Sequence, residues 1–170
     1  MRIISGAWRG RRLTAPRGAS VRPTPDRVRV AWMNILQADV PGARVIDLFA
    51  GTGALGLEAL SRGAVHADFV EQDPEATRLL VRNIEALGAA GHCTVHRADV
   101  FRVLDECRPP SDIAFADPPY RKDLAVRVAE CWLASPFAAI LGVEHESITT
   151  LPEGGDTRRY GDTAITIYRR

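Results

Sequence analysis

The regular alternation of strand and helix patterns after Arg44 is the feature that most limits the possible fold of this chain. Strands are predicted at residues 45–49, 67–71 and 92–97, with helices from about Ala54 and from Pro74 to about Leu87 between them. The pattern continues with a short helix at 100–107, a strand at 112–117, a helix at 123–134 and a strand at 138–144. Successive strand–helix–strand units predict a mostly parallel sheet with helices on its faces.

The two ends of the chain depart from this alternation. Near the carboxyl end, residues 156–160 and 163–168 flank Gly161-Asp162, which predicts an antiparallel hairpin. Near the amino end, residues 2–14 predict a small β-hairpin with little core of its own, and Thr24 is expected to cap a helix that starts with Pro25. We therefore expect a Rossmann-like α/β domain at residues 23–170 with a seven-stranded, mostly parallel sheet, preceded by a basic β-hairpin arm at residues 1–22.

Basic charge is concentrated at the amino end of the chain. Its 170 residues, 46% of them hydrophobic, suffice for one ordinary domain with a real core. Residues 1–30 hold eight of the 22 basic side chains but only one of the 21 acidic ones, Asp26. Such grouping predicts a polyanionic partner, and a solvated basic terminus is the alternative.

The three cysteines, Cys93, Cys107 and Cys131, show neither a C-x-x-C pair nor a regular spacing with histidine. We therefore expect no metal site and no disulfide framework, which fits the reducing cytoplasm. No apolar run reaches membrane-spanning length and the Met-Arg start lacks the apolar core of a signal peptide. Neither membrane insertion nor export by that route is expected.

A glycine-rich loop joins the first predicted strand to the helix that follows it. It runs Asp47-Leu48-Phe49-Ala50-Gly51-Thr52-Gly53-Ala54-Leu55-Gly56. The glycines permit a ligand to approach the backbone closely at a helix N-terminus. Glu71 ends the second predicted strand, where a carboxylate can accept hydrogen bonds from two ribose hydroxyls. These features fit a nicotinamide dinucleotide as well as S-adenosylmethionine.

Three observations favour S-adenosylmethionine. Asp47 precedes the glycines where a carboxylate can meet a cationic methionine end, and Asp99 follows the third strand where it can accept from an adenine amino group. The chain also has little room for the substrate domain of a dehydrogenase. Helix capping or solvation is the alternative for Glu71 and Asp99. The predicted cofactor residues are Asp47, Phe49, Ala50, Gly51, Gly53, Glu71, Gln72, Asp99 and Val100.

The tetrapeptide Asp117-Pro118-Pro119-Tyr120 closes the fourth predicted strand, at the edge where open α/β sheets bind ligands. Asp117 and the backbone carbonyl of Pro118 can accept both N–H groups of an exocyclic amine, while Tyr120 can stack on the base that carries it. All four residues are therefore candidates for a site that transfers a methyl group to such an amine. An ordinary proline turn is the alternative.

Arginines of the amino-terminal arm are predicted to contact nucleic-acid phosphates. Trp8 can stack on an unpaired base or, equally, fix the arm to the domain, whereas Trp32 and Trp132 lie on apolar helix faces and are expected in the core. The predicted nucleic-acid contacts are Trp8, Arg9, Arg11, Arg12, Arg22 and Arg27.

These motifs together resemble those of the RsmD-like family of bacterial small-subunit ribosomal RNA guanine-N2 methyltransferases. The match spans nearly the whole chain and rests on residues 2–11, 22–29, 47–62 and 117–120. The resemblance implies the class I methyltransferase fold, S-adenosylmethionine as cofactor and 16S RNA of the assembling small subunit as partner of a cytoplasmic monomer. By resemblance, Asp47, Gly51, Gly53, Glu71 and Asp99 line the cofactor pocket, and residues 117–120 form the target site.

Two other functions fit parts of the sequence. A DNA adenine-N6 methyltransferase would use the same Asp117–Tyr120 tetrapeptide, but the chain has no room for a separate target-recognition domain. A non-catalytic RNA-binding protein with this fold would be expected to have lost the glycine loop or the Pro-Pro turn, and both are intact.

Overall fold

The computed structural model describes residues 1–15, 26–106, 110–120 and 123–170. The helices in these ranges are α1 (Asp26–Ile35), α2 (Ala54–Ser61), α3 (Pro74–Leu87), α4 (Val100–Asp105) and α5 (Leu124–Ala134), with a 3₁₀ turn at Ala90–His92. The strands are β1 (Arg44–Asp47), β2 (His66–Val70), β3 (Cys93–His96), β4 (Ser111–Ala116), β5 (Ala138–Glu146), β6 (Asp156–Tyr160) and β7 (Thr163–Arg169). The predicted helix start at Thr24 and Pro25 lies outside the described residues, as do Arg22 and Cys107.

These seven strands form one sheet in the order β3-β2-β1-β4-β5-β7-β6. The pairs among β1 to β5 are parallel, and β7 runs antiparallel to both β5 and β6. The predicted mostly parallel sheet with a closing hairpin is therefore confirmed. Because the strand order reverses between β1 and β4, the carboxyl ends of those two strands open a crevice in which such sheets bind ligands.

Two apolar layers cover the faces of the sheet. On one face, helices α1, α2 and α3 share a core in which Trp32 of α1 meets Phe115 edge-on, with ring centroids 5.5 Å apart. Gly142 of β5 makes room for this indole, since a Cβ there would lie 2.1 Å from the Trp32 ring. On the other face, α4 and α5 pack with Trp132 and Tyr168. Both tryptophans predicted to be core are therefore confirmed as core.

The amino-terminal segment, residues 1–15, contains the small hairpin that the sequence predicts, with backbone hydrogen bonds from Ile3 to Arg11 and from Leu13 to Met1. One antiparallel bridge between Arg2 and Arg12 closes it. Ile3 and Leu13 are buried in the core shared by α1, α2 and α3. The segment therefore uses the core of the domain, and its position is fixed against the domain by that burial.

Four strands end one or two residues earlier than the sequence predicts. β1 ends at Asp47, β2 at Val70, β3 at His96 and β4 at Ala116. The chain leaves the sheet at these points, so the loops beyond β2 and β4 begin with the acidic residues Glu71 and Asp117. The shorter strands bring the predicted site residues to one edge of the sheet.

Candidate active site

The glycine loop begins at Asp47, the last residue of β1. Its side chain is 1% exposed, and Oδ2 accepts a hydrogen bond from the Gly56 amide at 3.0 Å. Oδ1 is buried and has no hydrogen-bond partner among the described residues. Burial raises the pKa of Asp47 to about 7 despite the Gly56 bond, and the nearby carboxylates of Asp117 and Glu71 raise it further. A buried acceptor without a partner suits a cationic group of a ligand.

Two glycines of the loop have different structural roles. Gly51 and Gly53 adopt φ values of +52° and +87°, which disfavour other residues. A Cβ at Gly53 would lie 2.4 Å from the Leu80 side chain, whereas a Cβ at Gly51 would have no atom of the described residues within 4 Å beyond its own chain neighbours. Gly53 therefore packs the loop on α3, and Gly51 leaves room for a ligand. The Ala50 amide donates to the Val70 carbonyl at 3.0 Å, which joins the loop to β2.

Helix α2 starts directly after Gly53, which has no side chain with which to cap it. The first amides of a helix lack partners within the helix and carry a partial positive charge. Asp47 already accepts from one of them, the Gly56 amide. The start of α2 directs its partial positive charge and its remaining N–H donors toward an anionic or polar part of a ligand at the loop.

Glu71 lies directly after β2 and holds two backbone amides. Its Oε2 accepts from Gly51 at 2.8 Å and its Oε1 from Asp73 at 2.7 Å. These bonds fix the carboxylate beside the glycine loop, and each oxygen keeps a second lone pair for a ligand hydroxyl. Gln72, the next residue, is exposed.

Asp99 caps helix α4, as the capping alternative predicts. Its Oδ1 accepts from the amides of Phe101 and Arg102 at 2.9 and 3.2 Å, while the side chain is exposed. Because both bonds use one oxygen, the cap is compatible with a second role for Oδ2. Val100 is buried in the layer of α4 and α5, and Phe49 is half-buried against the same layer.

The carboxyl ends of β1 and β4 bring Asp117 close to Asp47. The parallel register pairs Asp47 with Phe115, so Asp117 lies two residues beyond the partner of Asp47 at the same edge. Their carboxylates are close enough for Asp117 to raise the pKa of Asp47. The structure therefore unites the glycine loop with the Asp117–Tyr120 turn.

The remaining residues of that turn differ in exposure. Pro118 is buried, Pro119 is exposed and Tyr120 is half-buried. The hydroxyl oxygen of Tyr120 lies 2.9 Å from Oγ1 of Thr163, the first residue of β7. This hydrogen bond fixes the end of the Tyr120 ring.

Trp8 and Arg11 of the amino-terminal segment contact the domain. Trp8 is half-buried against the core, and its amide donates to Oγ of Ser61 at 3.0 Å. The alternative that Trp8 fixes the segment to the domain is therefore confirmed. The Arg11 guanidinium donates to the Ala86 carbonyl at the end of α3.

The other predicted nucleic-acid contacts are distributed over two places. Arg9 and Arg12 are exposed on the amino-terminal segment. Arg27 of α1 is also exposed and donates to the Tyr160 carbonyl at 3.4 Å, beside the β6–β7 turn. Arg22 lies outside the described residues, so its predicted contact stays a prediction.

Among the described residues, sequence reasoning missed several polar side chains that hold these parts together. Glu58 is fully buried in α2 and accepts from the amides of Ile4 and Ser5 at 2.7 and 3.0 Å. Others are Ser61, Asn83 and Thr163. Their partners lie far away in the sequence, and local patterns carry no signal of such pairs; a glutamate within the apolar sequence of α2 was the one available hint.

Within the described residues, no group of three or more His, Cys, Asp and Glu side chains is arranged to hold a metal ion. No helix in those ranges is long and apolar enough to cross a membrane.

The sheet order and the site at its edge define the class I methyltransferase fold. An RNA methyltransferase of Salinibacter ruber, solved in complex with S-adenosyl-L-homocysteine, shares this fold with a TM-score of 0.68 at 13% identity, over 87% of this chain and 93% of that one. Residues 1–169 match the family described as conserved hypothetical protein 95.

Close relatives cover the whole chain. Ribosomal RNA small subunit methyltransferase D of Escherichia coli K12 is 37% identical over 181 residues, which span all of this chain and 90% of the relative. A hypothetical protein of Thermus thermophilus superposes with a TM-score of 0.89 at 37% identity, over all of this chain and 99% of that one. The chain therefore belongs to this family of RsmD-like methyltransferases.

Proposed function

We propose that this protein transfers a methyl group from S-adenosylmethionine to the exocyclic N2 amine of a guanine in small-subunit ribosomal RNA. The observation that carries the proposal is the meeting of the glycine loop and the Asp117–Tyr120 turn at one sheet edge, beside an Asp47 oxygen that has no partner among the described residues. The name of the Escherichia coli relative supports ribosomal RNA as the substrate class.

The cofactor side of this site fits S-adenosylmethionine. Asp47 would accept from the cationic methionine end, Glu71 would accept from ribose hydroxyls, and Asp99 would accept from the adenine amino group. The open space at Gly51 lets the backbone approach the ligand closely. When bound, the cofactor supplies a methyl group on a positively charged sulfur, which makes its carbon an electrophile.

The target side needs to orient one nitrogen. Asp117 and the Pro118 carbonyl would accept the two N–H groups of the amine, which directs the nitrogen lone pair toward the methyl carbon. Tyr120 would stack on the base and stabilise its flipped position by about 1–3 kcal/mol. Positioning of this kind can supply on the order of 7–11 kcal/mol of the barrier reduction.

The amine requires no strong base in this reaction. Transfer would form the nitrogen–carbon bond as the carbon–sulfur bond of the bound cofactor breaks, and that electron pair would stay with sulfur. The alkylated nitrogen would then release a proton readily, and Asp117 would accept it or pass it to water. The carboxylate thus serves mainly to orient the amine.

The amino-terminal segment would bind RNA beside this site. Arg9 and Arg12 are exposed there, and the sequence groups most of its excess basic charge between residues 1 and 30. Arginine contacts to phosphates supply affinity without sequence information. Recognition of the target would then depend on the shape of the ribonucleoprotein surface.

The test is transfer of tritium from labelled S-adenosylmethionine to 30S particles from cells that lack this gene, in parallel with naked 16S RNA and duplex DNA. Nucleoside analysis should find label in N2-methylguanine from the RNA substrates. Label in N6-methyladenine from DNA would overturn the RNA assignment and favour the DNA alternative. No transfer to any substrate would favour a non-catalytic binding protein.

A further inference from the structure

Asn83 of α3 connects the amino-terminal segment to the glycine loop. Its side chain is 2% exposed. Oδ1 accepts from the Thr14 amide at 2.7 Å, and Nδ2 donates to the carbonyls of Thr14 at 3.0 Å and Thr52 at 2.9 Å. A single buried amide therefore holds two parts of the chain that are 38 residues apart in sequence, Thr14 and Thr52.

The contact with Thr52 acts directly on the glycine loop. Thr52 lies between Gly51 and Gly53, and the carbonyl of one residue and the amide of the next point in opposite directions across a planar trans peptide. Holding the Thr52 carbonyl toward α3 therefore turns the Gly53 amide the other way, where it donates to the Ala50 carbonyl at 2.7 Å. Asn83 thus sets the orientation of the peptide that leads into α2.

The chemistry of these three bonds requires a side-chain amide. A carboxylate offers acceptors only, and an alkyl group offers neither donor nor acceptor. Because Thr14 uses both its amide and its carbonyl on Asn83, the end of the amino-terminal segment helps to orient the Asn83 side chain. Glu58 and Ser61 hold other parts of the segment on α2 without touching Thr52.

We infer that Asn83 is a positioning residue for cofactor binding, which ties the amino-terminal segment to the glycine loop. This inference rests on the proposed function, because the orientation of the glycine loop affects cofactor binding only if that loop binds S-adenosylmethionine. It makes the segment a structural support of the cofactor site in addition to its proposed contact with RNA.

The test compares Asn83→Ala and Asn83→Asp with Ser61→Ala, which weakens the segment at a different place. Each variant is studied by thermal unfolding, by calorimetric titration with S-adenosyl-L-homocysteine, and by hydrogen exchange of the free protein. Asn83→Ala and Asn83→Asp should bind the ligand about tenfold more weakly, because the loop without its Asn83 bond occupies the binding orientation only part of the time. Ser61→Ala should lower the melting temperature and keep the dissociation constant within about twofold of wild type.

Hydrogen exchange separates failure of the inference from failure of the proposed function. Asn83→Ala should speed exchange across residues 50–56 in the free protein, and Ser61→Ala should not. Unchanged ligand affinity and unchanged exchange in the Asn83 variants would overturn the inference. If wild type failed to bind S-adenosyl-L-homocysteine at all, the proposed function would fail, while the exchange comparison would still decide whether Asn83 orients the loop.

Discussion

The proposed cofactor side and the proposed target side of the sheet edge differ in how their polar groups are held. On the cofactor side, Asp47, Glu71 and Asp99 each accept from backbone amides of neighbouring turns. On the target side, two consecutive prolines stiffen the turn, and the Tyr120 hydroxyl bonds to Thr163. The cofactor side is therefore ordered by its own carboxylates, whereas the target side is ordered by backbone stiffness and by a contact with the closing hairpin.

Because the cofactor side and the target side are held by different hydrogen bonds, a change at Asp117 should abolish methyl transfer and leave cofactor binding intact. Asp117→Ala should lower the transfer rate by about a hundredfold or more, the range found when one positioned hydrogen-bonding group is removed from a catalytic site. Its dissociation constant for S-adenosyl-L-homocysteine should stay near the wild-type value. Asp112→Ala is the matched control, because Asp112 lies at the opposite end of β4 and bonds to the Arg44 amide. Full transfer activity in Asp117→Ala would remove Asp117 from the site.

A change at Asp47 should alter how cofactor binding depends on pH. The pKa of Asp47 is raised to about 7 by burial, so the side chain is largely protonated below pH 7. A cationic ligand prefers the carboxylate, and affinity for S-adenosyl-L-homocysteine should therefore rise with pH by up to about tenfold per unit between about pH 5.5 and 7. Asp47→Asn keeps an acceptor for the Gly56 amide and should give a flat profile in calorimetric titrations. An equally steep profile in Asp47→Asn would assign the pH dependence to another group.

The same carboxylate affects stability without ligand. Its folded-state pKa lies above the ordinary value of 3.8, so the folded protein binds more protons than the unfolded chain between pH 3.8 and about 7. The contribution of Asp47 to the free energy of unfolding should therefore fall as pH rises through this window and level off above it. Denaturant unfolding of wild type and Asp47→Asn across the window measures the difference, which should grow in favour of the variant as pH rises.

The exposed arginines of the amino-terminal segment should affect RNA binding alone. Arg9→Ala and Arg12→Ala should each reduce the slope of log affinity against log salt concentration by roughly 0.7 to 0.9 for each phosphate that the variant no longer binds. Arg44→Ala, at the start of β1 and away from the site edge, is the control and should keep the wild-type slope. Filter binding of 16S RNA at several salt concentrations provides the slopes. Equal slopes for all the proteins would leave the segment with its structural role only.

The smallest expected effect concerns the bond between Tyr120 and Thr163. Tyr120→Phe and Thr163→Val should each slow transfer by about three- to tenfold, and the double variant should be no slower than either, since all three remove one hydrogen bond. Thr157→Val is the control, because its hydroxyl pairs with Thr166 in the same hairpin. In single-turnover measurements, a double variant slowed by the product of the two single effects would show that Tyr120 and Thr163 act independently, which would contradict a role of their shared hydrogen bond.

The sequence predicts local features of this fold better than its long-range contacts. The strand–helix alternation and the glycine loop are visible because each depends on periodicity or on residues close in the chain. Trp32 and Trp132 follow from helix spacing in the same way. The bonds of Asn83 to Thr14 and Thr52 join residues 69 and 31 positions apart, and no local pattern encodes them. The burial of the amino-terminal segment is harder still to predict, because Ile3 and Leu13 pack against helices that follow much later in the sequence.

Hydrogen exchange with and without S-adenosyl-L-homocysteine tests most directly whether the loops after β1, β2 and β3 form one cofactor site. The ligand should slow exchange in residues 50–56, 71–73 and 99–102, where backbone amides donate to the carboxylates of Asp47, Glu71 and Asp99, and leave the Asp117–Tyr120 turn little changed. If the ligand binds but exchange in those three loops is not slowed, the loops after β1, β2 and β3 do not form the cofactor site.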